Sequence, residues 1–447
     1  MHGADRRIVL GLVIALGCLV VASAPARNRE LPGMPGWVDA AVAVPEPPSL
    51  HAASAILLEM DTGTVLYERR ADVPWVPASL TKVMTIHTAL EQARARSISL
   101  DRRFTVPEEA WAVNMPAGSS LMFLGPGQRV SLRELLAGLA VVSGNDAAVA
   151  VALTLGGSVE EFVASMNREA DRLGYSEMHF SDPAGLSPEN RITAREYADL
   201  VCRHFEAYPE LLEELYARRE FTHPTAANST GTAIGGPVRQ ENRNTLLFDY
   251  EGVDGLKTGY TEEAGFNMAV TAERGGMRLL AVVLGVEAAS IAEGSRLRAD
   301  DAAALLDYGY DNFALAETPR PDLPEIRVWK GGIDALTPVI EEEPGERDPG
   351  RKDAGGKDAG GKEDALSLVV PREAARNLEA SVETVDEVIA PVAEGRRVGT
   401  VTYRGDVSAG EIELARRSLV TEAPVEEAGV FKRLWHGFLL ILRELFG

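Results

Sequence analysis

Ser79-Leu80-Thr81-Lys82 follows Val76-Pro77-Ala78, which ends an extended segment, and opens a stretch of helical composition over residues 80–94 (LTKVMTIHTALEQAR). Residues three apart on a helix share one face, about a turn apart, so this spacing sets a lysine amine beside a serine hydroxyl. A serine hydroxyl is a weak nucleophile until a neighbouring base takes its proton. The expected place of Ser79, at a helix N-terminus, adds free N–H groups and a dipole that favour developing negative charge. Alone, the tetrapeptide is more often a capping serine and a solvated lysine than a nucleophile and its base. The decision rests on what the rest of the chain brings to it.

Working outward, residues 53–60 and 64–69 are strand-like runs joined by Asp61-Thr62-Gly63, a turn with glycine available for positive φ, hence a hairpin. Ser131 is expected to cap a buried apolar helix over residues 132–142. That helix stops at Ser143-Gly144-Asn145, before a second apolar run over 146–155. A polar tripeptide between two buried helices is either a break in which Ser and Asn satisfy loose backbone groups, or a hydroxyl and an amide facing a cleft. Residues 159–173 are amphipathic and end at Gly174, and another helix is expected over 193–205, burying Cys202. Lys257-Thr258-Gly259 precedes two β-rich runs, 266–273 and 277–286, joined by Gly275-Gly276. These strands are expected to pair with the first hairpin in one antiparallel sheet carrying Lys257, with a final helix over 295–308 returning to cover it.

Composition bounds the function. The chain has 447 residues, 45% of them hydrophobic, with a net charge of −22. That balance argues against nucleic-acid binding, which needs a basic surface. The two cysteines are Cys18 and Cys202, and the seven histidines show no metal-ligand spacing, so neither a metal nor another cofactor is expected. Arg6-Arg7, an apolar run over 8–21 and Ala22-Ser23-Ala24 read as a signal peptide over 1–24, followed by a Pro/Gly-rich linker over 25–50. A catalytic domain is expected over 51–318 and a small β domain over 319–420, the latter interrupted by an acidic, low-complexity insertion at 341–365. In the closing segment, 421–447, Phe431, Leu434, Trp435, Phe438, Ile441, Leu442 and Leu445 share one helical face. The stretch 430–446 is too short and too charged to span a bilayer, but suits a helix lying in a membrane surface or docked on the protein's own core; the surface reading is preferred.

The ordered set Ser79-x-x-Lys82, Ser143-Gly144-Asn145 and Lys257-Thr258-Gly259 is similar to that of the penicillin-recognising serine enzymes. Met166-Asn167, Phe180-Ser181-Asp182-Pro183-Ala184-Gly185-Leu186, Asn242-Arg243-Asn244 and Ala264-Gly265-Phe266-Asn267 extend the likeness. Over residues 50–315 the chain resembles the D-alanyl-D-alanine carboxypeptidases, the low-molecular-mass penicillin-binding proteins that trim peptidoglycan stem peptides. The resemblance implies an α+β fold in which an antiparallel sheet is flanked by helices and carries an all-helical insert. It also implies Ser79 as nucleophile, Lys82 as base, its pKa lowered by burial and by Lys257 as a second cation, and Ser143 as carrier of the proton to the leaving amine. Asn145 would hold Lys82 and the substrate amide. The backbone N–H groups of Ser79 and Tyr260 would form the oxyanion hole, and Lys257, Thr258, Gly259 and Arg243 would bind the terminal carboxylate. The implied partners are a stem peptide ending in D-Ala-D-Ala and β-lactams as inhibitors, at the outer face of the cytoplasmic membrane.

The nearest rival, a class A β-lactamase, needs a glutamate downstream of the second motif to activate the deacylating water. Residues 178–183 read Met-His-Phe-Ser-Asp-Pro instead, and Glu189 comes too late. A DD-endopeptidase differs only in leaving group. A catalytically idle peptidoglycan-binding scaffold would need no base beside its serine.

Overall fold

Asp61-Thr62-Gly63 turns the chain through the hairpin of β1 (Ser54–Glu59) and β2 (Val65–Arg69), with Gly63 at φ +72°. The buried Glu59 carboxylate locks the turn by accepting from the Asp61 and Thr62 N–H groups and the Thr62 hydroxyl. This is a computed structural model, and it describes residues 45–228, 236–341 and 367–446. The expected signal peptide, most of the linker and all but Glu341 of the acidic insertion lie outside the described residues.

Three more strands, β3 (Val253–Thr261), β4 (Gly265–Arg274) and β5 (Met277–Val286), join the hairpin in one antiparallel sheet of order β2-β1-β5-β4-β3. Alternation sorts its side chains between two cores. Leu57, Val270, Leu279 and Ala281 face the helix that follows β5, while Ile56, Ala269, Leu280 and Val282 face the helical insert. That last helix runs over Ile291–Asn312, longer at both ends than the apolar run indicates, because Ser290 caps it and accepts from the Glu293 N–H.

The insert holds α1 (Thr81–Ala95), α2 (Leu132–Val141), α3 (Asn145–Val151), α4 (Val159–Leu173) and α5 (Ala194–Ala207); the helix after β5 is α6. Ser131 and Glu134 form a reciprocal capping box at α2, and Gly174 ends α4 at φ +87°. Cys202 is buried in α5. This is the α+β architecture the resemblance implies.

Beyond α6, Phe313–Glu317 pairs with Ser367–Pro371, and a four-stranded sheet of Val339–Ile340, Gly410–Val420, Arg397–Val407 and Glu379–Thr384 builds a separate core around Val401, Tyr403 and Leu419. The chain closes with α7 (Val430–Phe446), which lies on this β unit through its polar side. The Lys330 N–H donates to His436 Nδ1 at 2.8 Å, Arg443 grips both oxygens of Glu387 at 2.5 Å, and Lys432 pairs with Asp334 at 2.8 Å. Phe431, Leu434, Trp435, Phe438, Ile441 and Leu445 are left exposed, Phe431 by 90%. Among the described residues no single helix is long and apolar enough to cross a membrane.

Candidate active site

The 3-10 turn Ala78–Leu80 leads into α1, with Ala78 held at φ +48°. That strained backbone is pinned from two sides. Asn267 on β4 donates its amide to the Val76 carbonyl at 2.9 Å and accepts from the Gly285 N–H at 2.8 Å. Gly185 sits so close to the Ala78 carbonyl that any Cβ there would overlap it, at a φ of +80° that itself favours glycine. A third approach comes from the sheet edge. A Cβ on Gly259 would lie 2.8 Å from the Pro77 carbonyl oxygen and 3.0 Å from the Ser79 nitrogen. Glycine in Lys257-Thr258-Gly259 is therefore what lets the outer edge of β3 run along the segment carrying Ser79.

One turn into the chain from Ser79, Lys82 is completely buried. Its ammonium donates to Ser79 Oγ at 2.8 Å, to Asn145 Oδ1 at 2.8 Å and to the Ala184 carbonyl at 2.5 Å. Three donors meet three acceptors, so the protonated form is fully satisfied. Burial nevertheless pushes the lysine down to about 7, against the pull of the Asp182 and Asp146 carboxylates, which favour the charged form. Both protonation states are thus accessible near neutrality.

The two carboxylates shape the surrounding backbone. Asp182 accepts from the N–H groups of Ala184, Gly185, Leu186 and Ser187, fixing the loop that presents the Ala184 carbonyl. Asn190 ties this loop to α1 by donating to Thr81 Oγ1 at 3.1 Å while accepting from the Ser181 N–H at 2.7 Å. Asn167 exchanges two hydrogen bonds of 2.8 Å with the backbone of Phe180. Asp146 accepts from the N–H groups of Met122 and Leu124, strapping residues 120–124 across the Ser143-Gly144-Asn145 bend. Gly144 has no room for a Cβ, which would come within 2.8 Å of Asp146 Oδ1.

Ser143, at φ +61°, has a buried hydroxyl with no hydrogen-bond partner. A buried orphan hydroxyl is costly and calls for a reason, and a waiting ligand is one. The expected bridge from Ser143 to Lys82 is not formed here: Asn145 and Ala184 hold the amine instead. Lys257 is buried on β3, donates to the Thr258 carbonyl at 2.9 Å, and lies far below the usual lysine range, chiefly from burial and then from the charges of Lys82, Arg298 and Arg243. The repulsion thus falls on Lys257. For Lys82, burial rather than the second lysine is the leading cause.

Arg243 is exposed, but its loop is fixed by its neighbours: Asn242 donates to the Arg218 carbonyl at 2.9 Å, and Asn244 donates to the Gly255 carbonyl of β3 at 2.7 Å. Thr258 is buried, and the Tyr260 ring stacks on Phe266 with centroids 4.2 Å apart. Sequence reasoning missed three participants. The Ala184 carbonyl has no side-chain signature. Asp182 was visible only as part of an Asp-Pro-Ala-Gly turn. Arg298 arrives from α6, donating to the Gly259 carbonyl at 3.0 Å and pushed down to about 10 by burial and then by Arg243.

Known proteins are similar to this chain in sequence and fold. The family model of D-alanyl-D-alanine carboxypeptidase matches residues 41–288, and that of the penicillin-binding protein 5 C-terminal domain matches residues 352–427. The chain is 35% identical over 409 residues to the D-alanyl-D-alanine carboxypeptidase DacC of Escherichia coli (strain K12), covering 90% of this chain and 91% of that one. Penicillin-binding protein 5 from Haemophilus influenzae superposes with a TM-score of 0.67 at 29% identity, over 86% of this chain and 100% of that structure. Penicillin-binding protein 6B from Escherichia coli gives 0.63 at 30% identity, over 84% and 97%. Fold, sequence and the setting of Ser79 and Lys82 lead to one conclusion: the chain belongs to the D-alanyl-D-alanine carboxypeptidase family.

Proposed function

We propose that the chain, a serine-type D-Ala-D-Ala carboxypeptidase, works through a Ser79 acyl-enzyme. The reading is carried by the buried Lys82 amine, 2.8 Å from Ser79 Oγ and poised near 7. When Lys82 is neutral, its lone pair accepts the Ser79 proton as Oγ bonds to the carbonyl carbon of the penultimate D-alanine. The resulting oxyanion lies between the N–H groups of Ser79 and Tyr260, each such donor typically worth about 3 kcal/mol. Collapse breaks the C–N bond, the proton passes from Lys82 through the Ser143 hydroxyl to the leaving nitrogen, and D-alanine departs. Water then cleaves the ester and regenerates the serine. Asn145 holds Lys82 and the substrate amide, while Lys257, Thr258 and Arg243 hold the terminal carboxylate beside Gly259. Incubation with a D-Ala-D-Ala peptide tests this reading. Release of D-alanine is expected, and a protein that neither releases it nor binds labelled penicillin would be a scaffold instead.

β-Lactams enter the same chemistry as acylating inhibitors. The carboxylate nearest in sequence to where a β-lactamase needs its deacylating base is Asp182, and four backbone N–H groups already occupy it. A long-lived penicilloyl-enzyme is therefore expected, and rapid penicillin turnover would favour the β-lactamase reading. Endopeptidase cleavage of cross-links would use the same groups.

The chain belongs to a family of exported penicillin-binding proteins, and α7 gives the finer reading. Its polar side is engaged by Glu387, Asp334 and Lys330, and its apolar side faces outward. Such a helix is suited to lie in the membrane surface, holding the catalytic unit on the outer face of the cytoplasmic membrane. Truncation at Ala428 is expected to move the protein from the membrane to the soluble fraction.

A further inference from the structure

The β4–β5 turn at Gly275-Gly276 lies at the end of the sheet away from the nucleophile. From Asn267, which pins the Ser79 segment, to Arg274 at the turn, β4 runs roughly 23 Å. There a cavity of about 280 Å³ opens between the catalytic unit and the β unit. Met277, Phe313, Ala314 and Leu315 give it apolar walls, and Arg274 and Arg372 border it with two positive charges. The arginines come from different units. Arg274 closes β4, whereas Arg372 follows strand Ser367–Pro371 of the β unit.

Each guanidinium is oriented by uncharged groups. Arg274 lies over the rings of Tyr250 and Tyr310, 4.4 and 4.8 Å from their centroids, and donates through Nε to the Glu251 carbonyl at 3.0 Å. The Tyr310 ring is itself fixed, its hydroxyl donating to the Ala272 carbonyl at 2.7 Å. Arg372 donates through Nε to the Asp311 carbonyl at 3.2 Å and through Nη2 to the Tyr310 carbonyl, closing the end of α6. The neighbouring carboxylates are engaged elsewhere: Asp254 and Glu273 pair with Arg278, and Asp307 accepts from the Tyr250 hydroxyl. Among the described residues no carboxylate pairs with Arg274 or Arg372, although the chain carries a net charge of −22. Stacking and helix capping hold the two forks in place and leave their outer N–H donors for a ligand. We propose that this cavity binds a small oxyanion, a phosphate or a carboxylate, carried on a short apolar body. The guanidiniums take the oxygens, and the body rests on Met277, Phe313 and Leu315. The volume is at the lower end for small-molecule sites and has no room for a glycan strand or a peptide. Because each unit supplies one arginine, the bound anion ties the β unit to the far end of the catalytic sheet.

Isothermal titration of the full chain at constant ionic strength, with hexyl phosphate, hexanoate and inorganic phosphate, tests the site. At least one alkyl anion is expected to bind with a millimolar or lower Kd, and the tighter of the two identifies the anion. Hexyl phosphate is expected to bind roughly tenfold more tightly than inorganic phosphate, which has no apolar body. Arg274→Gln removes one charge, and Ala314→Trp fills the cavity without touching either arginine. Each is expected to weaken the binding by about tenfold or more while circular dichroism and the unfolding midpoint stay near those of the parent. No binding of either alkyl anion to the unaltered protein overturns the site, without need of any variant. Binding undiminished in both variants also overturns it, because the probe then sits elsewhere, as on the exposed face of α7. Inorganic phosphate binding as tightly as hexyl phosphate overturns the part assigned to the apolar walls.

Discussion

The proposed acylation centre and the terminal helix both break the usual partition of a folded chain, in opposite senses. Around Ser79, cationic and polar groups are buried: Lys82, Lys257, Asn145 and the partnerless Ser143 hydroxyl. Along α7, large apolar side chains are exposed in a row. A protein that only had to fold would do neither, since burying a charge and exposing a contiguous apolar face are both unfavourable. In the function proposed above, the first arrangement acquires its reason from a reaction in which charge develops, and the second from a membrane surface. The centre is also tightly held by hydrogen bonds from several elements, whereas α7 is attached by one polar side alone.

The largest effect expected is at the nucleophile. Ser79→Ala should lower D-alanine release by at least roughly 10⁴-fold and abolish penicillin labelling, while circular dichroism and the unfolding midpoint stay near those of the parent. Lys82→Met should cost about 10³-fold in the acylation rate. Its stability should stay within about 2 kcal/mol of the parent, because relief of a buried charge opposes the loss of three hydrogen bonds. A collapse of folding in this variant would mean that the buried lysine is structural, and the contrast with α7 would lose its basis.

The pH dependence sharpens the same side. With Lys82 pushed down to about 7 and, in the proposed route, active when neutral, kcat/KM should rise with pH through about 7. Stability carries the matching sign. Between about 7 and 10.5 the unfolded chain holds a proton on this lysine that the folded chain does not, so stability rises with pH across that window. In Lys82→Met that part of the slope should vanish, as pH-dependent denaturation would reveal.

Next in size is the packing behind the nucleophile. Gly185→Ala drives a Cβ into the Ala78 carbonyl at a positive φ and should destabilise by about 2–4 kcal/mol, with loss of acylation, in urea unfolding. A neutral outcome would show that the Asp182 loop does not set the Ser79 backbone. The smallest effect belongs to the helix. Phe438→Glu should weaken binding to lipid vesicles by about 10- to 100-fold while leaving hydrolysis of a soluble peptide unaltered. An equal loss of both would mean that α7 serves the catalytic unit and not a membrane.

Much of this was legible in the residues. The hairpin, the capping box at Ser131, the Gly174 stop and the placing of Lys257 on a strand follow from local rules of turn, cap and alternation. So does the apolar stripe of α7. What escaped has a common cause: it depends on backbone atoms or on contacts between distant segments. The Ala184 carbonyl is a ligand any residue type could supply. Arg298 sits on α6, remote in sequence from the Gly259 carbonyl it meets. The leading role of burial in lowering Lys82 needed the packing of α1, α3 and the Asp182 loop around one amine. Which side of α7 touches the protein depends on Glu387 and Asp334 of the β unit, and no periodicity within the helix reveals that.

The central claim is that Ser79 is the acylated residue, activated by a lysine kept buried for that purpose. Mass spectrometry of the protein after brief treatment with penicillin, followed by proteolysis, tests it directly. The adduct is predicted on the peptide carrying Ser79 and to be absent from Ser79→Ala. An adduct on any other residue, or an unmodified protein under conditions where D-alanine is released, would contradict it.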